Sequence, residues 1–472
     1  MKNLDVASLG VPRALLLVLA VAVTLVMQRL LTSPLGQLLF LDLCIIVFMA
    51  LAVVFRAETR LPLLCDPLVI VYVFMAQFFV IGAPALFVLD FHIFRQLSPE
   101  RGLLILGLFA IFTVAFFAGY QLRLGQVIAG FLPDFEGTRP RMPWIWIETL
   151  VTGVGLAGCV AFVLSQGGLM ALLRTGYGMG DSQPIYQLAY HMLFAGTLLM
   201  AWRVIAGETT HRWAWAPLMG VLAFEILFFG VLSGARKWLF YLFFGLLAMR
   251  LLRRGTRAIP KLRVALILAA LVLFFSVWGA VRTRPLTELV GAQATDARVV
   301  GREPFYMGYF KSVSEPFEVA SLVVDIYPAQ QPYEHGRPML VTVLGFIPRS
   351  VWPDKPVGLG KSLTRYTDGY LFQAAAGHSI APTLVGDFYA SFGLIGVVFG
   401  GLAFGVACRA IAAYASMGLV AGVQLTAARV IIPAVFVAGL AEVRGESAFL
   451  LAFYIMVLTP ISLCCGLSRL SE

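Results

Sequence analysis

The chain is divided into apolar stretches about twenty residues long, and few folds accept such a division. At a rise of 1.5 Å per residue, a helix of roughly that length crosses the hydrocarbon core of a bilayer. Inside that core a backbone satisfies its own hydrogen bonds only as helix or as closed barrel. The alternating ten-residue strands of an outer-membrane barrel are absent. Apolar spans are read near residues 14–32, 36–55, 67–89, 102–121, 144–165, 185–206, 213–232, 235–252, 262–281, 386–412, 425–441 and 446–466. The first of these resembles a signal peptide in position but is long and lacks a clear small-residue cleavage site, so it is read as a retained helix. The expected fold is all-α, a polytopic helical membrane protein of about 12 transmembrane helices. Composition agrees: 60% of the 472 residues are apolar and 13% charged, against roughly a quarter charged in a soluble domain. The mean hydropathy is +0.89.

Charge placement orients this bundle. The formal net charge is +10. Arg250, Arg253, Arg254, Arg257, Lys261 and Arg263 crowd one short loop, Arg123, Arg139 and Arg141 a second, and Arg56 with Arg60 a third. With the N-terminus cytoplasmic, all three loops fall on the same side, as the positive-inside bias demands. Three regions follow: transmembrane helices over 1–281, a large loop over 282–385 outside the cytoplasmic membrane, and transmembrane helices over 386–472. In a Gram-negative bacterium the loop is periplasmic, and both termini are expected in the cytoplasm. Acids and bases nearly balance in the loop, which excludes a nucleic-acid-binding patch.

No cofactor or metal is expected, since CxxC, HExxH and His/Asp clusters are lacking. The six cysteines lie in or beside spans, so no disulfide framework supports the loop. Trp144, Trp146, Trp213, Trp215 and Trp238 fall near span ends, where an interfacial belt would anchor them. Asp42, Gln77, His191 and Glu225 interrupt apolar spans, at positions that call for a partner or a cavity. His191 and Glu225 are candidate partners of each other.

Polar chemistry concentrates towards the C-terminal half. Arg236 and Lys237 follow the turn Ser233-Gly234-Ala235 at the outer surface, against the charge bias, where an anionic group at headgroup level suits them. Arg282 and Arg284 end the ninth span on the same side. Phe317, Val319, Leu322, Val323 and Ile326 predict a short amphipathic helix lying on the membrane. Met339 to Ile347 is apolar but too short to span, which predicts an interfacial or re-entrant segment. It leads into Ile347-Pro348-Arg349-Ser350-Val351-Trp352-Pro353-Asp354-Lys355-Pro356, whose prolines stiffen the path and present Arg349, Trp352 and Lys355 beside the bilayer. Arginine offers a planar fork to phosphate oxygens and lysine a point charge. His378 lies in the loop, and Asp387 opens the tenth span, where a cap role and a catalytic role are both open. Gly393, Gly396, Gly400 and Gly405 predict close helix packing. Glu442-Val443-Arg444-Gly445-Glu446 makes a tight outer turn.

These segments carry a resemblance. Tyr333-Glu334-His335-Gly336 through Ile347-Pro348-Arg349, with Trp352-Pro353-Asp354-Lys355-Pro356, resembles the bacterial oligosaccharide-repeat-unit polymerases, the O-antigen polymerases of the Wzy type. Gly386-Asp387-Phe388-Tyr389, with Phe392-Gly393 and Gly396, is similar to a following segment of that family, and Ser233-Gly234-Ala235-Arg236 to an upstream Arg-bearing turn. The likeness covers roughly residues 230–450.

The resemblance implies a glycosyltransferase on the outer face of the inner membrane. Such an enzyme transfers a growing glycan from polyprenyl (undecaprenyl) diphosphate onto a newly flipped lipid-linked repeat unit. Its partners would be the lipid-linked donor and acceptor, the bilayer, a flippase and a chain-length regulator. A diphosphate leaving group needs cations: Arg236, Arg349, Lys355 and Arg444, with Arg282 and Arg284 behind them. His378 or Asp387 would serve as base, and Trp352 and Tyr389 would contact substrate. No Asp-x-Asp motif is present, so metal-independent transfer is expected. An O-antigen ligase is the nearest alternative, and a lipid-linked glycan transporter or flippase a more distant one.

Overall fold

The computed structural model describes residues 33–56, 61–90, 92, 96–132, 142–170, 184–205, 215–232, 236–254, 305–337, 339–340, 352, 358–367, 380–420, 426–445 and 447–470. Among them every regular element is helical. In chain order these are α1 (Pro34–Val54), α2 (Pro67–Met75, prolonged by a π-turn at Ala76–Val80 and by Gly82–Phe87), α3 (Pro99–Gln121) and α4 (Leu124–Phe131). Then come α5 (Met142–Ser165), α6 (Pro184–Ile205), α7 (Trp215–Glu225, with a π-segment Ile226–Leu232) and α8 (Arg236–Arg254). The C-terminal part holds α9 (Phe305–Ile326), α10 (Leu359–Leu363), α11 (Thr383–Val420), α12 (Ala427–Gly439, with a 3-10 turn Leu440–Arg444) and α13 (Ser447–Leu470).

Six described helices are long and apolar enough to cross a membrane: Pro34–Val54, Pro67–Phe87, Pro99–Gln121, Trp144–Ser165, Gln187–Ile205 and Thr383–Met417. The protein is therefore membrane-embedded and all-helical over its described residues. Shorter apolar helices occupy the expected seventh, eleventh and twelfth spans, at Trp215–Phe229, Ala427–Gly439 and Leu450–Cys464. The expected spans at 14–32 and 262–281 lie outside the described residues.

Helix starts follow local chemistry. Ser33, Asp66, Ser98 and Thr426 cap α1, α2, α3 and α12, each accepting a backbone N–H of the first turn. Proline follows the cap at α1, α2 and α3, where its missing N–H costs nothing.

The bundle is organised around α3 and α11, whose packing is the most extensive among the described elements. Small residues permit it. A side chain at Gly119 would strike the Leu402 carbonyl, and one at Gly405 the Phe116 carbonyl. α5 pairs with α6 and α8 with α12, while α13 closes against α6 and α12.

α11 is not one straight helix. At Phe392 (φ −146°, ψ 16°) and Gly393 (φ 64°, ψ −148°) the helix breaks. A side chain at Gly396 would strike the Phe388 carbonyl, and one at Gly400 the Phe388 ring. Along a straight helix these pairs would lie about 12 and 18 Å apart. The arm 383–391 thus folds back along the start of the arm 394–420. The helix expected at 386–412 is interrupted at Gly393, which occupies a backbone region essentially closed to other residues.

Three expectations change in the structure. The predicted amphipathic helix is longer, running Phe305–Ile326, and its apolar residues do not lie on lipid. Phe317, Val319, Ala320, Val323 and Ile326 are buried, with Phe317 packed between the rings of Phe79 and Phe87. His191 and Glu225 are not partners: His191 Nδ1 lies 2.5 Å from the Gln187 carbonyl, while the buried Glu225 carboxylate lies beside the Thr197 hydroxyl. Of the expected tryptophan belt, Trp146 and Trp215 are exposed and Trp213 lies outside the described residues, but Trp144 and Trp238 are core residues, Trp238 packed at a tilt against Tyr190. The apolar segment expected at 339–347 lies almost wholly outside the described residues.

Candidate functional site

One end of the bundle holds Asp387, Tyr389, Arg444 and the segment 333–336 of the residues that the sequence singled out. It is built from the close of α2, the start of α3, α9, the folded-back arm of α11, and the turn between α12 and α13. Arg444 ends the 3-10 turn after α12. Its Nη2 lies 2.5 Å from Glu315 Oε2 on α9, and its guanidinium lies 5.8 Å over the Phe78 ring of the α2 π-turn. Both partners of this ion pair are partly exposed, at 31% and 25% of their side-chain surface. A partly exposed arginine fork of this kind remains able to take an anionic ligand.

Three residues on, Ser447 starts α13. Its N–H donates to Asp387 Oδ2 at 2.9 Å, and its hydroxyl donates to the same oxygen. Asp387 therefore caps α13 from a different helix, satisfying an N–H that α13 leaves unpaired. The carboxylate is fully buried, and its Oδ1 has no hydrogen-bond partner. Along the same face of the folded-back arm, Thr383 and Ser391 are also fully buried, at the four-residue spacing of one helix face.

α9 supplies a second polar row. Ser314, Glu318 and Ser321 are buried, and Asp325 pairs with Arg101 at the start of α3. His92 lies between Glu318 Oε1, 4.0 Å from Nδ1, and Asp90 Oδ1, 3.4 Å from Nε2. Its ring edge also meets Phe87.

The segments 333–336 and 386–393, far apart in sequence, are docked on one another. The helix break at Phe392 and Gly393 removes the helical partners of nearby carbonyls. Glu334 N–H donates to the Ala390 carbonyl at 2.9 Å and His335 N–H to the Ser391 carbonyl at 3.0 Å. The Tyr333 ring meets Tyr389 edge-on, and the His335 ring meets Phe392 edge-on. Gly393 leaves room for the Tyr333 hydroxyl, which a side chain there would strike. Beneath this junction, Tyr327 donates to Glu334 Oε1 at 2.9 Å. Burial, and next the Glu334 carboxylate, push the Tyr327 phenol well above its usual range, which keeps it a donor.

The structure thus brings together Asp387 and Arg444 at one turn and places Tyr389 at the docked junction. Arg236 begins α8, whose first turns pack by way of Trp238 near Tyr190 and His191. Trp352 is half-buried. His378, Arg349, Lys355, Arg282 and Arg284 lie outside the described residues. Sequence reasoning missed Glu315, Ser447, Glu318, His92 and the Arg101–Asp325 pair. No metal-holding group of three or more His, Cys, Asp or Glu occurs among the described residues.

The opposite end of the bundle is charged differently. Arg56, Arg123, Arg203, Arg253 and Arg409 belong to it, and Asp66 and Glu148 pair with Arg56 and Arg203. Arg203 meets Glu148 at 2.8 Å, Arg56 meets Asp66 at 3.1 Å, and Arg253 lies over Trp202.

Comparison with known proteins adds one match. Residues 314–456 match a family model described as a domain of unknown function, DUF8712. No curated protein and no solved structure matches the chain. The matched stretch begins within α9 and ends within α13, so it holds both partners of the Glu315–Arg444 pair and of the Asp387–Ser447 cap.

Proposed function

We propose that the protein is a metal-independent membrane glycosyltransferase that polymerises polyprenyl-diphosphate-linked oligosaccharide repeat units, at the end of the bundle that carries Arg444. The observation that carries this reading is the docking of Tyr333-Glu334-His335-Gly336 onto the broken start of α11, since these are two segments through which the chain resembles the repeat-unit polymerases. They meet at the same end as the Arg444 turn. The charge asymmetry supports an orientation for it. The arginine-rich end belongs in the cytoplasm, so the Arg444 end faces outward, where lipid-linked repeat units are presented after flipping.

In this reading Arg444, with Arg236 at the head of α8 and Arg349, Lys355, Arg282 and Arg284 of the loop, neutralises the diphosphate as the glycosyl bond breaks. The diphosphate displaces Glu315 from Arg444, exchanging one oxyanion for another. Asp387 is closed off and committed to Ser447, so its role is to hold the turn that presents Arg444. The base that takes the acceptor hydroxyl's proton is then His378. Trp352 and Tyr389 line the sugar path.

The test is R444A in the source bacterium, with surface polysaccharide resolved on a gel and the protein confirmed at normal level in the membrane. Loss of the long-chain ladder, leaving single repeat units on the lipid core, is expected. Loss of all capped core would make the protein a ligase. An unchanged ladder for both R444A and R349A would overturn the reading.

A further inference from the structure

We propose that the Arg409 end of the molecule holds the phosphate of an anionic phospholipid, with α4 as the seat of the lipid's acyl chains.

Arg409 lies on α11 and is 6% exposed. Its stem fills the space left by Gly125 of α4, and its guanidinium lies 5.6 Å over the Tyr120 ring. Its Nη1 is buried with no hydrogen-bond acceptor. The nearby carboxylate is already committed. Asp66 Oδ1 accepts from the Tyr120 hydroxyl at 2.8 Å and from Leu68 N–H at 3.1 Å, while Oδ2 lies 3.1 Å from Arg56 Nε. Arg409 is left with an aromatic face. A ring compensates a guanidinium only in part, and a buried unmatched N–H of a cation is costly.

Among the described residues the surroundings hold more positive than negative charge. Arg56, Arg123 and Arg409 stand against Asp66 among the described residues, and Arg123 is exposed at the head of α4. A site with surplus cations at a bundle end suits a phosphate, and arginine matches its oxygens with a planar fork.

α4 identifies the source of that phosphate. Its small residues Gly125 and Ala129 face the protein. Leu124, Val127, Ile128 and Phe131, at the spacing of one helix face, point away from it, with Phe131 83% exposed. An apolar stripe beside surplus arginines is the arrangement of a helix lying at the membrane interface. A soluble anion would use the arginines and leave the stripe bare. A phospholipid uses both.

The test takes the purified full-length chain in detergent and follows thermal unfolding with added phosphatidylglycerol, phosphatidylcholine or inorganic phosphate. Phosphatidylglycerol is expected to raise the midpoint saturably, and the other two to leave it unchanged. R409Q and, separately, the exposed R123Q are expected to weaken the apparent affinity for phosphatidylglycerol, by about tenfold for R409Q, the equivalent of one charge-assisted hydrogen bond. If R409Q does not fold, R123Q decides alone. Equal shifts from phosphatidylcholine would mean a general lipid effect and overturn the proposal. So would a shift produced by phosphate alone, or full phosphatidylglycerol affinity retained in the folded variants.

Discussion

Asp387 shows how far a single residue can be read from sequence. A carboxylate opening an apolar stretch is conspicuous, and both a cap and a catalytic role fit it. The structure supplies a cap of an unexpected kind, on α13 rather than on its own helix, through Ser447. That choice rests on a contact across 60 positions, which no local pattern encodes. The same holds for Glu315, whose meaning lies in Arg444, 129 positions away. A tryptophan near a span end suits a belt and a core equally, and for Trp238 the Tyr190 ring decides. The capping role makes a specific prediction. D387N keeps an oxygen for the Ser447 N–H and is expected to unfold at nearly the wild-type temperature, whereas D387A loses the cap at a cost of about 1–2 kcal/mol. Thermal unfolding of both purified variants checks this. If D387N keeps the fold yet abolishes polysaccharide elongation, Asp387 takes part in the chemistry and the assignment to His378 fails. At the neighbouring turn, E315Q removes the charge that competes for Arg444. It is expected to tighten binding of a lipid diphosphate severalfold in a direct binding assay, by release of an exposed pair worth up to about 1 kcal/mol.

At the scale of elements, apolar length was legible and shape was not. Five of the six long apolar helices lie where twenty-residue runs placed them, because a bilayer-spanning helix depends on little besides hydropathy. The sixth, α11, illustrates the limit. Its glycines announced close packing, but the same composition accommodates a straight helix and a folded one. The fold-back is decided by Gly393, and by the amides of Glu334 and His335, which take up the Ala390 and Ser391 carbonyls. For α9, amphipathicity says that one face is apolar and not what covers it. Here Phe79, Phe87 and their neighbours do. The break predicts a substitution effect. G393A places a side chain in a glycine-only backbone region and against the Tyr333 hydroxyl, at a cost of about 1–3 kcal/mol. The expected result is a lower unfolding temperature and faster proteolysis within 333–336 as that segment undocks. G107A, at an open position on α3, is the control and should change neither.

The molecule as a whole is polarised. Among the described residues, one end carries Arg56, Arg123, Arg203, Arg253 and Arg409 with Asp66 and Glu148, while the other mixes Asp90, Glu315, Glu318, Asp325, Glu334 and Asp387 with Arg101, Arg337, Lys361, Arg365 and Arg444. Translocating arginine across a membrane is disfavoured during insertion, so the arginine-rich end is expected to stay cytoplasmic. The opposite end, with its docked segments and its partly exposed arginine pair, is then expected to face outward. Both the polymerase reading and the phospholipid site depend on this polarity, in different ways. The first needs the Arg444 end outside, where the lipid-linked substrate is presented. The second needs only that each end meets a headgroup layer. Cysteine labelling separates them. Asp90 is highly exposed at the acid-rich end and Arg123 at the basic end, and the described native cysteines are buried apart from the half-buried Cys44. With the unmodified chain as blank, D90C should react with a membrane-impermeant maleimide in intact spheroplasts. R123C should react only after the membrane is permeabilised. The reverse pattern would put Arg444 in the cytoplasm, where an enzyme elongating flipped repeat units has no substrate, and would end the polymerase reading while leaving the phospholipid site standing on the opposite leaflet.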